Sequence, residues 1–293
     1  MIIMREITFD LVTRNFLKRD KYAHKGSFGT LACICGSYQM HGAAVMAASA
    51  ALKCGVGKVN VFLPKSIYKI VGSFLCEAIF TCLYETNTGT LSKSCIDKLM
   101  QNLKTSTACV FGCGSSNNID IKEILLSILK NYDKPLLIDA DGINAISDNI
   151  NVLKAAKSKI ILTPHPGEMS KLLKVGIEFL DNNREEISKN FAREYNVTLV
   201  LKGANTLVAT PYGEIFKNTT GNPGMARAGM GDALSGMIGS FLAQGMTPLN
   251  SALCGVYLHG LAGDICAEKF SEISMSTMDL INELPYIFLN MKS

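Results

Sequence analysis

Short apolar runs alternate along the chain with stretches whose apolar residues recur at helical spacing. Leu31–Cys35, Lys58–Leu63, Ala108–Phe111, Pro135–Asp139, Lys159–Leu162 and Thr198–Leu201 have the length and apolar character of strands. Ala43–Lys53, Ser92–Leu103, Ile121–Asn131 and Glu185–Tyr195 lie between them and follow a helical pattern. This alternation predicts an α/β fold with a central, mostly parallel sheet and helices on both faces. Near-continuous apolar strands fit burial on both sides. Thr206–Ala209 and Glu214–Phe216, joined by Thr210-Pro211-Tyr212-Gly213, predict a β-hairpin. Asp232–Gln244 and Leu249–Glu268 predict a helical C-terminal part.

A length of 293 residues would allow two domains, but no linker, repeat or low-complexity tract divides the chain, so residues 1–293 read as one domain. Hydrophobic residues make up 48%, enough for a large core. The net charge of +4 is small for this length. The one dense basic stretch, Lys18, Arg19, Lys21 and Lys25 with Asp20 between them, reads as a solvated face, and no RNA- or DNA-binding motif accompanies it. The ten cysteines include no Cys-x-x-Cys pair. Cys33, Cys35, Cys54, Cys254 and Cys266 fall in apolar runs, as small buried hydrophobes of a reducing compartment do. Met1–Asp10 is not a signal peptide, and Gly42–Leu52 is too short to span a bilayer, so a cytoplasmic protein is expected.

The most informative segment runs from Thr220 to Gly236, Thr-Gly-Asn-Pro-Gly-Met-Ala-Arg-Ala-Gly-Met-Gly-Asp-Ala-Leu-Ser-Gly. Positions 221, 224, 229, 231, 236 and 239 are glycine, a density that costs conformational entropy unless the backbone must turn sharply or approach something closely. Gly229 and Gly231 directly precede an apolar helix. Backbone N–H groups and the positive end of a helix dipole there suit a phosphate or a developing phosphoryl anion. Asp232 opens the helix. An aspartate at that place caps helices, and it also supplies the base that phosphoryl transfer to a hydroxyl requires. The segment is not a Walker A loop.

Other unusual residues cluster after strands, where open parallel sheets bind ligands. Lys25-Gly26-Ser27-Phe28-Gly29 precedes the first strand, and Gly36-Ser37 and His41-Gly42-Ala43-Ala44 follow it. Gly112-Cys113-Gly114 ends a strand in a second glycine turn. Asp139-Ala140-Asp141-Gly142-Ile143-Asn144 places two acids and an amide at a strand end, suited to a hydrated cation, a ribose hydroxyl or simple turn capping. In Thr163-Pro164-His165-Pro166-Gly167-Glu168 two prolines make a rigid turn that presents His165 and Glu168. Lys202-Gly203-Ala204-Asn205-Thr206 joins two strands and offers an ammonium and backbone N–H groups to phosphates.

Taken in order from about Lys25 to Gln244, these segments resemble the signatures of the nucleotide-dependent NAD(P)H-hydrate dehydratases, of the ribokinase-like superfamily. The resemblance implies a ribokinase-like fold, with Asp232 as catalytic base and Gly229 and Gly231 as the anion hole. It implies substrate contacts from Ala43, Gly114, His165 and Asp232. It gives the adenine nucleotide to Lys202, Gly203, Ala204, Asn205, Thr206 and Gly231. Mg2+ is expected to come with ADP or ATP, held through phosphate and water, and no residue is assigned as a metal ligand. Two departures stand out. Cys113 replaces a usual proline, which leaves the turn less constrained, and Arg227 replaces a small hydroxyl residue, facing either solvent or a phosphate.

The implied reaction is repair of hydrated NADH and NADPH by phosphorylation of the ring hydroxyl and elimination of phosphate, with ADP the expected donor. A homotetramer is implied too. The N-terminal epimerase domain of some relatives is not expected here, so that activity would lie on another chain. Two other readings fit the glycine-rich turn. One is a small-molecule kinase of the same fold acting on a hydroxymethyl group, which would release a stable phosphorylated product. The other is a non-catalytic nucleotide-sensing module, for which Asp232 would have no use.

Overall fold

The computed structural model describes residues 4–16 and 19–291. Lys18 of the basic stretch and Met1–Ile3 lie outside the described residues. The strands are β1 (Met4–Glu6), β2 (Thr30–Ile34), β3 (Lys58–Pro64), β4 (Ile79–Leu83), β5 (Ala108–Phe111), β6 (Leu136–Ile138), β7 (Ile160–Leu162), β8 (Val197–Leu201), β9 (Leu207–Ala209) and β10 (Ile215–Lys217). They form one ten-stranded sheet in the order β1-β10-β9-β8-β7-β6-β5-β2-β3-β4. Only β9 runs against its neighbours, pairing antiparallel with β8 and β10. The fold is the expected one: a mostly parallel sheet covered by helices on both faces.

Alternate residues of the central strands serve two separate cores. Leu31, Cys33, Val110, Leu137 and Ile161 pack with the helices His41–Lys53, Met230–Ala243 and Pro248–Ser274. Ala32, Ile34, Phe111, Ile138 and Leu162 pack with Ile96–Leu103, Ile119–Asn131, Pro166–Leu173 and Arg184–Glu194 on the other face. A strand buried on both faces has no polar side to show, which is why these runs are apolar throughout.

Several elements go beyond the sequence pattern. β1 and β4 close the two sheet edges, and Thr277–Asn290 adds a final helix with Pro285 inside it. Ser92–Leu103 is a short 3-10 turn leading into the helix Ile96–Leu103. The long C-terminal helix runs to Ser274, with a break at Ser271, where φ is 67°. The basic stretch is not wholly a solvated face. Arg19 donates to Gly55 O at 2.6 Å and to Gln244 Oε1 at 3.1 Å, and its guanidinium lies 3.9 Å from the centre of the Phe28 ring. Among the described residues no helix is long and apolar enough to cross a membrane.

Helix 230–243 is the element that places the glycine-rich turn. It packs against helix 41–53 and the sheet, and its residues from Ala233 to Ala243 are all buried. Small residues permit that depth. A Cβ on Gly236 would stand 2.0 Å from the Ala47 carbonyl oxygen, and one on Gly239 would stand 2.4 Å from Val110 Cγ2. A methyl group at Gly236 must therefore push two helices apart. Gly236→Ala is expected to lower stability by about 1–3 kcal/mol, the cost of overpacking, in a urea titration. An unchanged midpoint and slope would contradict this close packing.

Candidate active site

Strand register sets the site. Ile34, Phe111, Ile138, Leu162 and Leu199 lie side by side across β2, β5, β6, β7 and β8. The residues that follow leave the sheet along one edge: Cys35, Gly112, Asp139, Thr163 and, after β8, Lys202. The Lys202 amide donates to Pro164 O at 2.9 Å and extends the ladder past the strand.

Asp139 is the centre. It is 1% exposed, a costly place for a carboxylate unless it is paired. Lys202 Nζ donates to its Oδ1 and Ser235 Oγ to its Oδ2, each at 2.8 Å. Burial alone would pull the Lys202 ammonium down, but Asp139 and Glu168 outweigh it and hold it above its ordinary value. The turn after β6 then passes through Ala140 at φ 48°, a strained conformation for a residue with a Cβ. Asp141 begins the helix Asp141–Ile146, and its Oδ2 accepts from the Ser116 amide at 2.8 Å, tying this turn to the one after β5.

Asp232 does not cap its helix. The capping position belongs to Gly229, whose φ of 95° lies in the left-handed region that only glycine enters without strain. Asp232 is the third helical residue, and the first-turn amides have no carbonyl one turn back within the helix. A Cβ on Gly231 would stand 3.4 Å from Lys202 Nζ and 3.7 Å from Asp139 Oδ2, so the turn rests against the ion pair. Burial, then repulsion from Asp139, pushes the Asp232 carboxyl up to about 7, against the pull of the Cys113 thiol and Lys202.

His165 is held by capping the helix that follows it, and Glu168 is buried, not presented. His165 Nδ1 accepts from the Gly167 amide at 3.0 Å and the Glu168 amide at 3.3 Å, capping the helix Pro166–Leu173, while Glu168 Oε2 accepts from the His165 amide at 2.8 Å. With Nδ1 occupied as acceptor, a neutral ring carries its proton on Nε2, 3.5 Å from Glu168 Oε1. Glu168 is buried, and burial raises its carboxyl against the attraction of Lys202. Ala43 and Gly114 are also brought together, since a Cβ on Gly114 would stand 2.7 Å from the Ala43 Cβ. The Lys202–Thr206 turn is held from behind by Arg184, which donates to Ala204 O at 2.9 Å and to the Leu201 and Lys202 carbonyls at 3.3 Å. A cavity of about 450 Å³ beside Asn205 is lined by Asn183, Arg184, Glu186 and Lys217, among others.

Arg227 is exposed, but its side chain folds back onto the protein instead of extending freely. Its guanidinium donates to the Met275 carbonyl and, at 3.1 Å, to Ile273 O, fastening the glycine-rich segment to the end of helix 248–274. Sequence reasoning also missed Ser235, Asp264 and His259. Asp264 accepts from the Gly221 amide at 2.9 Å and from Asn222 Nδ2 at 3.0 Å, bracing the Gly-Asn-Pro-Gly turn from 42 residues away in sequence. His259 is 8% exposed, and its Nε2 has no hydrogen-bond partner among the described residues. Burial pulls the imidazole down to about 4, so it stays neutral against the Met230 backbone. Ser235 had a signal, one turn after Asp232; the other two did not.

Fold and edge together define a ribokinase-like protein with its polar residues gathered at the carboxyl ends of the strands. The chain belongs to the NAD(P)H-hydrate dehydratase family, whose sequence profile matches residues 31–286. It is 37% identical over 257 residues to the ADP-dependent (S)-NAD(P)H-hydrate dehydratase of Neisseria meningitidis, covering 87% of this chain and 82% of that one. It is 37% identical over 275 residues to the bifunctional NAD(P)H-hydrate repair enzyme of Moorella thermoacetica, covering 94% of this chain and 52% of that one. The chain thus spans about half the length of its bifunctional relatives. The ADP/ATP-dependent NAD(P)H-hydrate dehydratase of Bacillus subtilis, crystallised with ATP and Mg2+, superposes with a TM-score of 0.86 at 27% identity, over 98% of this chain and 99% of that one. A hydroxyethylthiazole kinase from Pyrococcus horikoshii, at 16% identity and TM-score 0.66, shares the fold alone.

Removing Lys202 would leave Asp139 buried with Ser235 as its only strong partner. Lys202→Met is expected to cost about 3–5 kcal/mol of stability by chemical denaturation. A loss below about 1 kcal/mol, the worth of a surface pair, would show that the pair is not structural.

Proposed function

We propose that this protein dehydrates hydrated NADH and NADPH at the expense of a nucleotide, with ADP as the favoured donor. The carrying observation is Asp232, a half-buried acid raised to about 7 at a glycine-opened helix start, against the Asp139–Lys202 pair. Family membership and the names of the relatives support the substrate; the Neisseria name supports ADP.

Hydroxide is a poor leaving group, so the ring hydroxyl must first be converted. In this reading Asp232 accepts the hydroxyl proton as the oxygen attacks the terminal phosphorus of the nucleotide. The bond from that phosphorus to the bridging oxygen breaks and its electron pair leaves with the shortened nucleotide. The backbone amides at Gly229–Gly231 take the charge on the transferred group. The ring nitrogen's lone pair then expels phosphate with the electrons of the C–O bond, and loss of a ring proton restores the dihydronicotinamide. Ala43, Gly114 and His165 line the substrate side, and the turn from Lys202 to Thr206 holds the nucleotide.

Mg2+ supplies charge neutralisation on nucleotide phosphates. Among the described residues no three His, Cys, Asp or Glu side chains converge as a metal cage, and Asp139 is already engaged by Lys202 and Ser235. The residues present do not fit a protein-held ion, so no step is routed through one. A single domain, a homotetramer and a cytoplasmic setting belong to the same proposal; the first and last rest on the sequence pattern and the tetramer on the resemblance.

The test is to incubate the protein with hydrated NADH, Mg2+ and ADP or ATP. Nucleotide-dependent recovery of the reduced-nicotinamide absorbance with matching phosphate release is expected. A stable phosphorylated product would instead indicate a kinase, and no turnover by folded, nucleotide-binding protein would sink the dehydratase reading. Asp232→Asn should lower turnover on the order of 10²–10⁴-fold, the usual worth of a general base, with the fold intact.

The pH dependence follows from the raised acid. A base must be ionised, so kcat/KM should rise as pH climbs through about 7 and fall on the acid side. An unperturbed carboxylate would place that limb near about 4. A profile flat from about pH 5 to 8 would remove Asp232 from the role.

A further inference from the structure

The turn that opens helix 230–243 is tied by successive residues to a distant part of the chain. Arg227 donates to Ile273 O at 3.1 Å and to the Met275 carbonyl. The next residue, Ala228, accepts from the Thr277 hydroxyl at 3.2 Å, across 49 positions of sequence. Thr277 is 6% exposed and begins helix 277–290. That helix start is itself held. Ser276 caps it, and Asp279 Oδ2 accepts from the Ser276 amide at 2.8 Å and from the Ser276 hydroxyl at 2.6 Å. The Thr277 hydroxyl therefore reaches Ala228 from a fixed place.

Gly229 gives that bond its use. A Cβ on Gly229 would stand 3.1 Å from Thr277 Oγ1 and 2.2 Å from Met46 Sδ, so the turn is closed in on this side. A glycine leaves the peptide plane before it free to turn over, because neither sign of φ is penalised. The Ala228–Gly229 peptide is trans, and a trans peptide carries its C=O and N–H on opposite sides. With the carbonyl held toward Thr277, the Gly229 amide points away from helix 277–290. That amide meets no protein acceptor among the described residues. Turning the plane over would direct the N–H at Thr277 and present a carbonyl oxygen, which repels an anion.

We propose that Thr277 is a positioning residue for phosphate recognition: its hydroxyl sets the Ala228–Gly229 peptide so that the Gly229 amide joins the anion hole. The inference rests on the reading that the Gly229–Gly231 amides hold the terminal phosphate of the nucleotide. It adds to that reading a side chain from the last helix, outside the ordered motifs. Thr277 touches neither substrate nor nucleotide and acts through the main chain alone. Glycine supplies the freedom to expose the amide, and the hydroxyl removes the choice of which way it faces.

The experiment compares the parent protein with Thr277→Val, which keeps the shape without the donor, and Thr277→Ser, which keeps the donor. Binding of ADP and of adenosine, each with Mg2+, is measured by calorimetry. Thr277→Val is expected to weaken ADP about 5–10-fold, the worth of one hydrogen bond, and to leave adenosine unchanged. Thr277→Ser is expected to bind both as the parent does. Unchanged ADP binding in Thr277→Val overturns the proposal, and so does an equal loss for ADP and adenosine, which a general disturbance of structure would give. In ligand-free protein the Ala228 carbonyl carbon, followed by NMR, should move upfield in Thr277→Val and stay in Thr277→Ser; no movement removes the contact. If Thr277→Val does not fold, Thr277→Ala makes the same comparison. A parent that binds ADP no more tightly than adenosine overturns the phosphate reading and this inference with it. A parent that prefers ADP, beside a Thr277→Val that prefers it equally, overturns this inference alone.

Discussion

The ion pair between Asp139 and Lys202 is the constraint on which the rest of the edge depends. Asp139 follows β6, and Lys202 follows β8 and must reach across β7 to meet it. The reach fixes the chain on either side. Pro164 lies between, with its carbonyl accepting from the Lys202 amide, and Ser235 joins from helix 230–243. Three segments distant in sequence thus meet at one buried carboxylate, and a fourth is tied to it through the Lys202 amide. A pair this deep is weak evidence for net stability, because both charges lose their water. Its worth is geometric: each partner has one place to be, so the turns that carry Asp232, His165 and the Lys202 loop are fixed relative to one another before any ligand arrives.

Depth at one end is made possible by smallness at the other. Asp232 stands over the strand ends because helix 230–243 lies flat on β5, where Gly239 has no side chain to lift it, and close against helix 41–53, where Gly236 has none to push it away. The same burial raises Asp232 to about 7. A solvated aspartate would be ionised but too weak a base for a hydroxyl proton, whereas a raised one is ionised over much of the neutral range and more basic. Core packing and acid–base character are two consequences of one helix position.

Much of this was legible in the sequence, and what was not follows a physical pattern. Central strands such as Leu31–Cys35 were readable because burial on both faces leaves no polar residue to confuse the run. The edge strands β1 and β4 were not, since Arg5 and Glu6 in one and the half-exposed Ile79 and Phe80 in the other look like loop. Pro285 disguised helix 277–290, and Pro166, which starts a helix, read only as part of a turn. The aspartate at 232 could be read equally as a cap because spacing cannot show that Gly229 turns left-handed three residues earlier. Arg227, Asp264 and His259 act on residues tens of positions away, and no local pattern announces such partners. Ala43, Gly114, His165 and Lys202 were reached through ordered motifs, and the fold brings Ala43 against Gly114 and Lys202 against Gly231.

The charge balance explains why so many glycines gather at the helix start. Asp139, Asp141, Glu168 and Asp232 crowd this edge, and Lys202, half-buried among them, is already committed to Asp139 and Glu168. A nucleotide would bring further negative charge to a place with little side-chain cation to spare. Backbone N–H groups are the remaining source of positive potential, and they act only where no side chain stands in front of them. Gly229 makes the left-handed turn that exposes the first amides, and Gly231 clears the space above Lys202. Under the proposed reading, therefore, recognition of phosphate falls to the main chain, and the lysine's part is to keep the acids in place.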